Sequence, residues 1–135
     1  MPITYERDDA RRRITVTLAG AVTLDDLLAI VDRQATEGTW TYGLLYDARR
    51  VSKDQAGTPD EVRRVFHHVS AHAAEHGPRG SVAIVTDNPA DYALLRTYSI
   101  LSARAEITVE IFRDPGDADR WLASKDRVHA RTSRG

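Results

Sequence analysis

Apolar and polar residues alternate strictly in two short stretches near the start of the chain, Ile3-Thr4-Tyr5 and Ile14-Thr15-Val16-Thr17-Leu18. A period of two is that of a strand with one wet face. Asp8-Asp9-Ala10 between them carries turn chemistry, so the pair predicts a β-hairpin. The period then changes. Leu24, Leu27, Leu28, Val31 and Ala35 form an apolar stripe at helical spacing, opened by Thr23 as N-cap and closed by Gly38. Next, Gly43–Val51 begins with Leu44-Leu45-Tyr46 and leaves abruptly through Asp47, Arg49 and Arg50, the pattern of a buried central strand. Thr58-Pro59-Asp60-Glu61 predicts a second helix start with a capping box, and Val62, Val65, Phe66, Val69 and Ala73 predict its inner face.

Two more strand–helix units follow. Ser81–Thr86 is a second buried strand, and Asp87 or Asn88 caps a helix whose inner face is Leu94, Leu95, Tyr98, Leu101 and Ala105. Ile107–Phe112 is the last strand, and Asp114-Pro115 opens a short helix anchored by Ala118, Trp121 and Leu122. The order ββαβαβαβα predicts an α/β fold with about four helices. Its five-stranded mixed sheet has an N-terminal antiparallel hairpin and then parallel βα units, because strands joined through helices run parallel by right-handed crossovers. Periodicity stops at Lys125, so the expected organisation is a single domain over 1–124 and a disordered basic tail over 125–135.

Composition narrows the class. The 135 residues are 41% hydrophobic and 29% charged with a net charge of −1, values of a globular domain with no global pull toward nucleic acid or anionic membrane. Cysteine is absent, which removes disulfides, thiolate metal sites and a thiol nucleophile. No apolar run approaches the ~20 residues of a membrane span, and Met1–Glu6 does not have the pattern of a secretion signal. A cytoplasmic location is the expectation. Arg11-Arg12-Arg13 reads as a charged strand edge that blocks edge-to-edge pairing, since no aromatic platform accompanies it for nucleic acid.

Candidate chemistry gathers where the buried strands end. In an open α/β sheet ligands bind beyond the carboxyl ends of the strands. Asp47, Arg49, Asp87, Arg96 and Arg113 are placed there, with the helix start at Thr58 adding backbone N–H groups, as an edge for a ligand or partner. The competing expectation, an Asp–Arg network in which Asp47 and Arg49 brace each other and Arg96, is the favoured one. His68, His72 and His76 form a ridge at i, i+4 and i+8. As His76 stands about 12 Å along the helix from His68, the three cannot share one ion, and the ridge reads as a satisfied or solvated helix face with no metal or cofactor. No nucleophile elbow, phosphate loop or dinucleotide fingerprint is present, so no catalytic residue is assigned.

The ordered set of features resembles the SpoIIAA-like (STAS) superfamily, and within it the small bacterial members. Gly20-Ala21-Val22-Thr23 leads into an Asp-Leu-Leu helix, and a strand ends in Asp47-Ala48-Arg49. Ala83-Ile84-Val85, Tyr92 with Arg96 and Tyr98, Phe112-Arg113-Asp114, and Ala118 with Trp121-Leu122 complete the likeness over residues 3–123. The resemblance implies a non-catalytic module of protein interaction or regulation that binds a partner or itself. Some relatives look like the CRAL-TRIO architecture, which implies as alternative a carrier of a small lipophilic or anionic ligand. One departure stands out. Anti-sigma-factor antagonists resemble each other in an Asp-Ser-Ser-Gly-type motif with a phosphorylatable serine, where this chain has Ala56-Gly57-Thr58-Pro59. Thr58 and Ser52 are the nearest hydroxyls, and Thr58 is already explained as a cap.

Overall fold

Strand and helix periods place nine elements in the expected order: β1 (Ile3–Asp8), β2 (Arg13–Gly20), α1 (Leu24–Thr36), β3 (Gly43–Val51), α2 (Pro59–His76), β4 (Val82–Val85), α3 (Pro89–Arg104), β5 (Val109–Phe112) and α4 (Pro115–Arg134). The computed structural model describes residues 3–52 and 57–134, with side chains as far as Lys125. The five strands form one sheet in the order β1-β2-β3-β4-β5, antiparallel between β1 and β2 and parallel elsewhere. β3 is its middle strand.

Alternation along β3 divides the core in two. Leu44 faces the larger cluster with Ile14, Val16, Val82, Ile84, Val109 and Ile111, and α1, α2 and α3 cover that face. Leu45 points the other way and packs with Ala83 and Val85 under Ala118 and Leu122 of α4. The face of β1 and β2 on the α4 side carries Thr4, Glu6, Thr15 and Thr17, partly or wholly wet as their alternation predicts.

Helix ends follow the capping chemistry. Thr23 and Thr58 each complete a capping box, with Asp26 and Glu61 respectively, and Asn88 caps α3 through Ala90 N at 3.0 Å. Gly38 takes φ +73° after α1, where Gly38 N–H donates to Ala35 O and Thr39 N–H to Gln34 O, the paired bonds of a Schellman stop.

Three details depart from the sequence reading. Arg11–Arg13 does not decorate an edge, because β2 is interior to the sheet and β1 is the edge strand. Arg13 is buried, and it and Arg11 both reach Asp119 of α4, at 2.8 and 3.2 Å. Arg12 instead donates to Thr41 and lies over the Tyr42 ring. The buried face of α1 includes Ile30 and Gln34 beside Val31. Helix α4 runs through Arg134, past the expected stop at 124, because no glycine or proline interrupts the chain between Gly116 and Gly135.

Candidate functional site

At the exit of β3, Asp47 and Arg49 lie two residues apart on one strand, hence on one face. That face is the α4 side, shared with Leu45. Arg49 closes a fork on the Asp47 carboxylate, Nε to Oδ1 at 2.9 Å and Nη2 to Oδ2 at 2.8 Å, and its backbone N–H reaches Oδ1 at 3.2 Å. These bonds hold the Asp47 carboxyl below its ordinary range, against the opposing effect of partial burial. The Arg49 guanidinium is pushed up chiefly by Asp47, with Asp87 and Asp114 adding attraction from the neighbouring strand ends. The fork is therefore already filled, and the charge around it is mainly acidic.

The six predicted edge residues do not form one constellation. Asp47, Arg49 and Asp87 share an electrostatic neighbourhood. Arg113 is exposed and stacks its guanidinium over Tyr92 of α3, 5.4 Å from the ring centre. Arg96 is exposed on α3, on the opposite side of the sheet from Asp47, and makes no ion pair or hydrogen bond among the described residues. The expected bracing of Asp47 and Arg49 by Arg96 is absent for that geometric reason. Thr58 serves as the cap of α2: its Oγ1 accepts from Glu61 N at 3.2 Å and lies 3.2 Å from Glu61 Oε1, to which the hydroxyl donates. Ser52 donates its backbone N–H to Gly20 O, and residues 53–56 of the same predicted loop lie outside the described residues.

What the sequence did not reveal is a cavity on the other face. A space of about 190 Å³ lies between the sheet and the first turns of α2 and α3. Tyr46, Ala48 and Ile84 form its floor, Val62, Val65, Leu94 and Leu95 its walls, and Thr58, Glu61 and Asp91 its polar part. Burial pushes the Asp91 carboxyl up from its ordinary range. Tyr98, almost fully buried, lines the same space, and burial raises its phenol against the pull of nearby Arg79. The available signal was the small Ala48 between large neighbours, too weak to predict a void.

A second unpredicted group is polar and buried at the amino edge. Arg79 follows the α2 stop and is only 6% exposed. Its Nε donates to Gln34 Oε1 at 2.9 Å, and its guanidinium sits 5.2 Å from the Trp40 ring centre. Gln34 in turn donates to Thr39 O at 3.1 Å, and Trp40 Nε1 donates to Gly77 O at 2.8 Å. Trp40 is itself buried there, packed in the core.

The histidine ridge also gains a partner that the sequence did not suggest. His68 and His72 converge on Asp32 of α1, while His76 stacks on His72 at 5.7 Å between ring centres.

Over 87% of its length the chain superposes on a solved structure, that of the anti-sigma factor antagonist SpoIIAA in its unphosphorylated form. The match covers 96% of that chain with a TM-score of 0.51 and 13% sequence identity. The fold is SpoIIAA-like. At that identity the likeness is one of fold alone. No protein-family model and no curated protein matches the sequence. No helix among the described residues is long and apolar enough to cross a membrane.

Proposed function

We propose that this SpoIIAA-like protein is a non-catalytic interaction or regulatory module, working through the carboxyl edge of its sheet. The observation that carries the reading is the extent of the fold match, which spans 87% of this chain and 96% of a protein described as an anti-sigma factor antagonist. The site chemistry agrees with it. Asp47 and Arg49 neutralise each other, and the Thr58 hydroxyl at the α2 start is engaged with Glu61. The Asp47 carboxylate is taken up by Arg49, and the Glu61 oxygen beside the Thr58 hydroxyl also accepts the Thr58 backbone N–H as part of the capping box, so neither carboxylate stands as a free base. The unphosphorylated form of the neighbour implies a phosphorylated one; here the Thr58 hydroxyl is committed to a cap, so the partner is recognised without a phosphoswitch. Size-exclusion chromatography with light scattering tests self-association, and a dimer broken by Arg49→Glu supports the edge as the working surface. A monomer that captures no specific partner in its own cells, with or without the substitution, defeats the reading.

One observation favours a second reading, the carrier of a small lipophilic ligand. The cavity of about 190 Å³ is apolar over most of its wall. A dry cavity of roughly 150 Å³ accepts benzene, so this one suits a single ring or a short chain and not a whole lipid. Native mass spectrometry of the freshly purified protein distinguishes the two: a bound small molecule supports the carrier, and the bare mass supports the interaction module.

A further inference from the structure

We propose that Asp32, His68 and His72 form a binding site for a divalent transition-metal ion of the zinc type. His68 and His72 are one helical turn apart on α2, so both rings project from the same side toward α1. Each Nε2 lies 2.7 Å from the same atom, Oδ1 of Asp32. The three ligand atoms all fall within 4.8 Å of one another. Two imidazoles and one carboxylate are a donor set that zinc accepts, with one coordination position left for water. With metal–ligand bonds of about 2.1 Å, tetrahedral ligand atoms stand roughly 3.4 Å apart. The Asp32 oxygen therefore retreats by about 0.7 Å to admit an ion. Its side chain is half exposed, at 52%, and has room to do so.

The surroundings hold the donors in place. His72 is wedged between Trp40, 5.6 Å away between ring centres, and His76, which stacks at an angle of 21°. His68 packs edge-on to His72 at 5.1 Å. His68 and His72 both direct Nε2 at Asp32 Oδ1, so a carboxylate from α1 is held beside two imidazoles of α2. A second combination, His72 with Glu75 and His76, shares one donor but lies on a single helix with two exposed members. It lacks a carboxylate brought in from a neighbouring element. The Asp32 set is toward the amino edge, where Trp40 lies, and is independent of the reading proposed for the carboxyl edge.

The test is a calorimetric titration of the full chain with zinc chloride near pH 7.5, after chelator treatment and dialysis, with folding checked by circular dichroism. A single saturable site is expected in the unmodified protein. Asp32→Asn and His68→Ala, both at exposed or half-exposed positions, should weaken it by more than the roughly 10–100-fold that loss of an outer-shell partner costs. His67→Ala, exposed on another face of α2, should leave it intact. Zinc should raise the melting temperature of the unmodified protein and not that of Asp32→Asn. Cobalt in place of zinc should give the visible absorption of a low-coordinate ion. Absence of saturable binding, binding in Asp32→Asn and His68→Ala as tight as in the unmodified protein, or loss of binding in His67→Ala would each overturn the site.

Discussion

Arg49 grips Asp47 within a single strand, at 2.9 and 2.8 Å, and not across the sheet edge. The pair is partly exposed, Arg49 by 40% and Asp47 by 16%, so its stabilisation is modest. Asp47→Asn should cost about 0.5–1 kcal/mol at neutral pH. The Asp47 pKa is depressed in the folded state, so its contribution is present above the unfolded value near 4 and disappears as pH falls through the lower folded value. Urea denaturation at pH 7 and pH 3 checks this: the difference between Asp47→Asn and the unmodified protein should be visible at pH 7 and shrink toward zero at pH 3. A constant difference would mean that Asp47 acts through packing and not through charge.

Arg79 is a buried cation with no carboxylate partner among the described residues, held by the amide oxygen of Gln34 and the face of Trp40. Replacing Gln34 by Leu leaves the buried Arg79 Nε donor unsatisfied and removes one of two bonds to the Thr39 carbonyl, which keeps the Tyr42 N–H; it should cost about 2–3 kcal/mol. Combining it with Arg79→Met removes the orphaned charge. The double variant should be more stable than the sum of the single effects predicts by about 1 kcal/mol or more. Strict additivity in chemical denaturation would show that the two side chains are not coupled.

Two glycines should respond differently to the same substitution. A Cβ on Gly80 would sit 2.2 Å from Tyr42 O and 2.5 Å from Thr41 O, both backbone atoms that cannot rotate away. Gly80→Ala should therefore cost about 3 kcal/mol or more. At Gly38 a Cβ meets nothing within 4 Å, and only the left-handed φ of +73° opposes it. Gly38→Ala should cost roughly 1–2 kcal/mol. Comparable melting temperatures for the two variants would contradict this.

Thr58 combines two roles in principle and one in practice. As N-cap it should lose about 1 kcal/mol on substitution by Ala. A phosphate on its hydroxyl would break the contact with Glu61 and sit beside that carboxylate. Incubation with a partner-switching kinase should leave Thr58 unmodified by mass spectrometry. Stoichiometric phosphate there would restore the phosphoswitch to this chain.

The elements were legible because each depends on local spacing. The Leu24–Ala35 and Val62–Ala73 stripes, the caps at Thr23 and Thr58, and the charged exit of β3 all report on neighbours within about four residues, where sequence and geometry are tightly linked. The resemblance to the SpoIIAA-like fold rested on the order of such features. Distant pairings carry no such record. That Arg13 meets Asp119, that Gln34 receives Arg79, and that Asp32 meets His68 and His72 followed only once the sheet had brought separate helices together. The side of the sheet on which Asp47 falls, opposite the cavity and Arg96, is set by strand parity combined with which helices cover which face. The sequence by itself determined the elements, their order and the mixed sheet. Only tertiary packing decided which charges pair, where a void remains and which histidines share a carboxylate, because those depend on contacts between residues far apart in the chain.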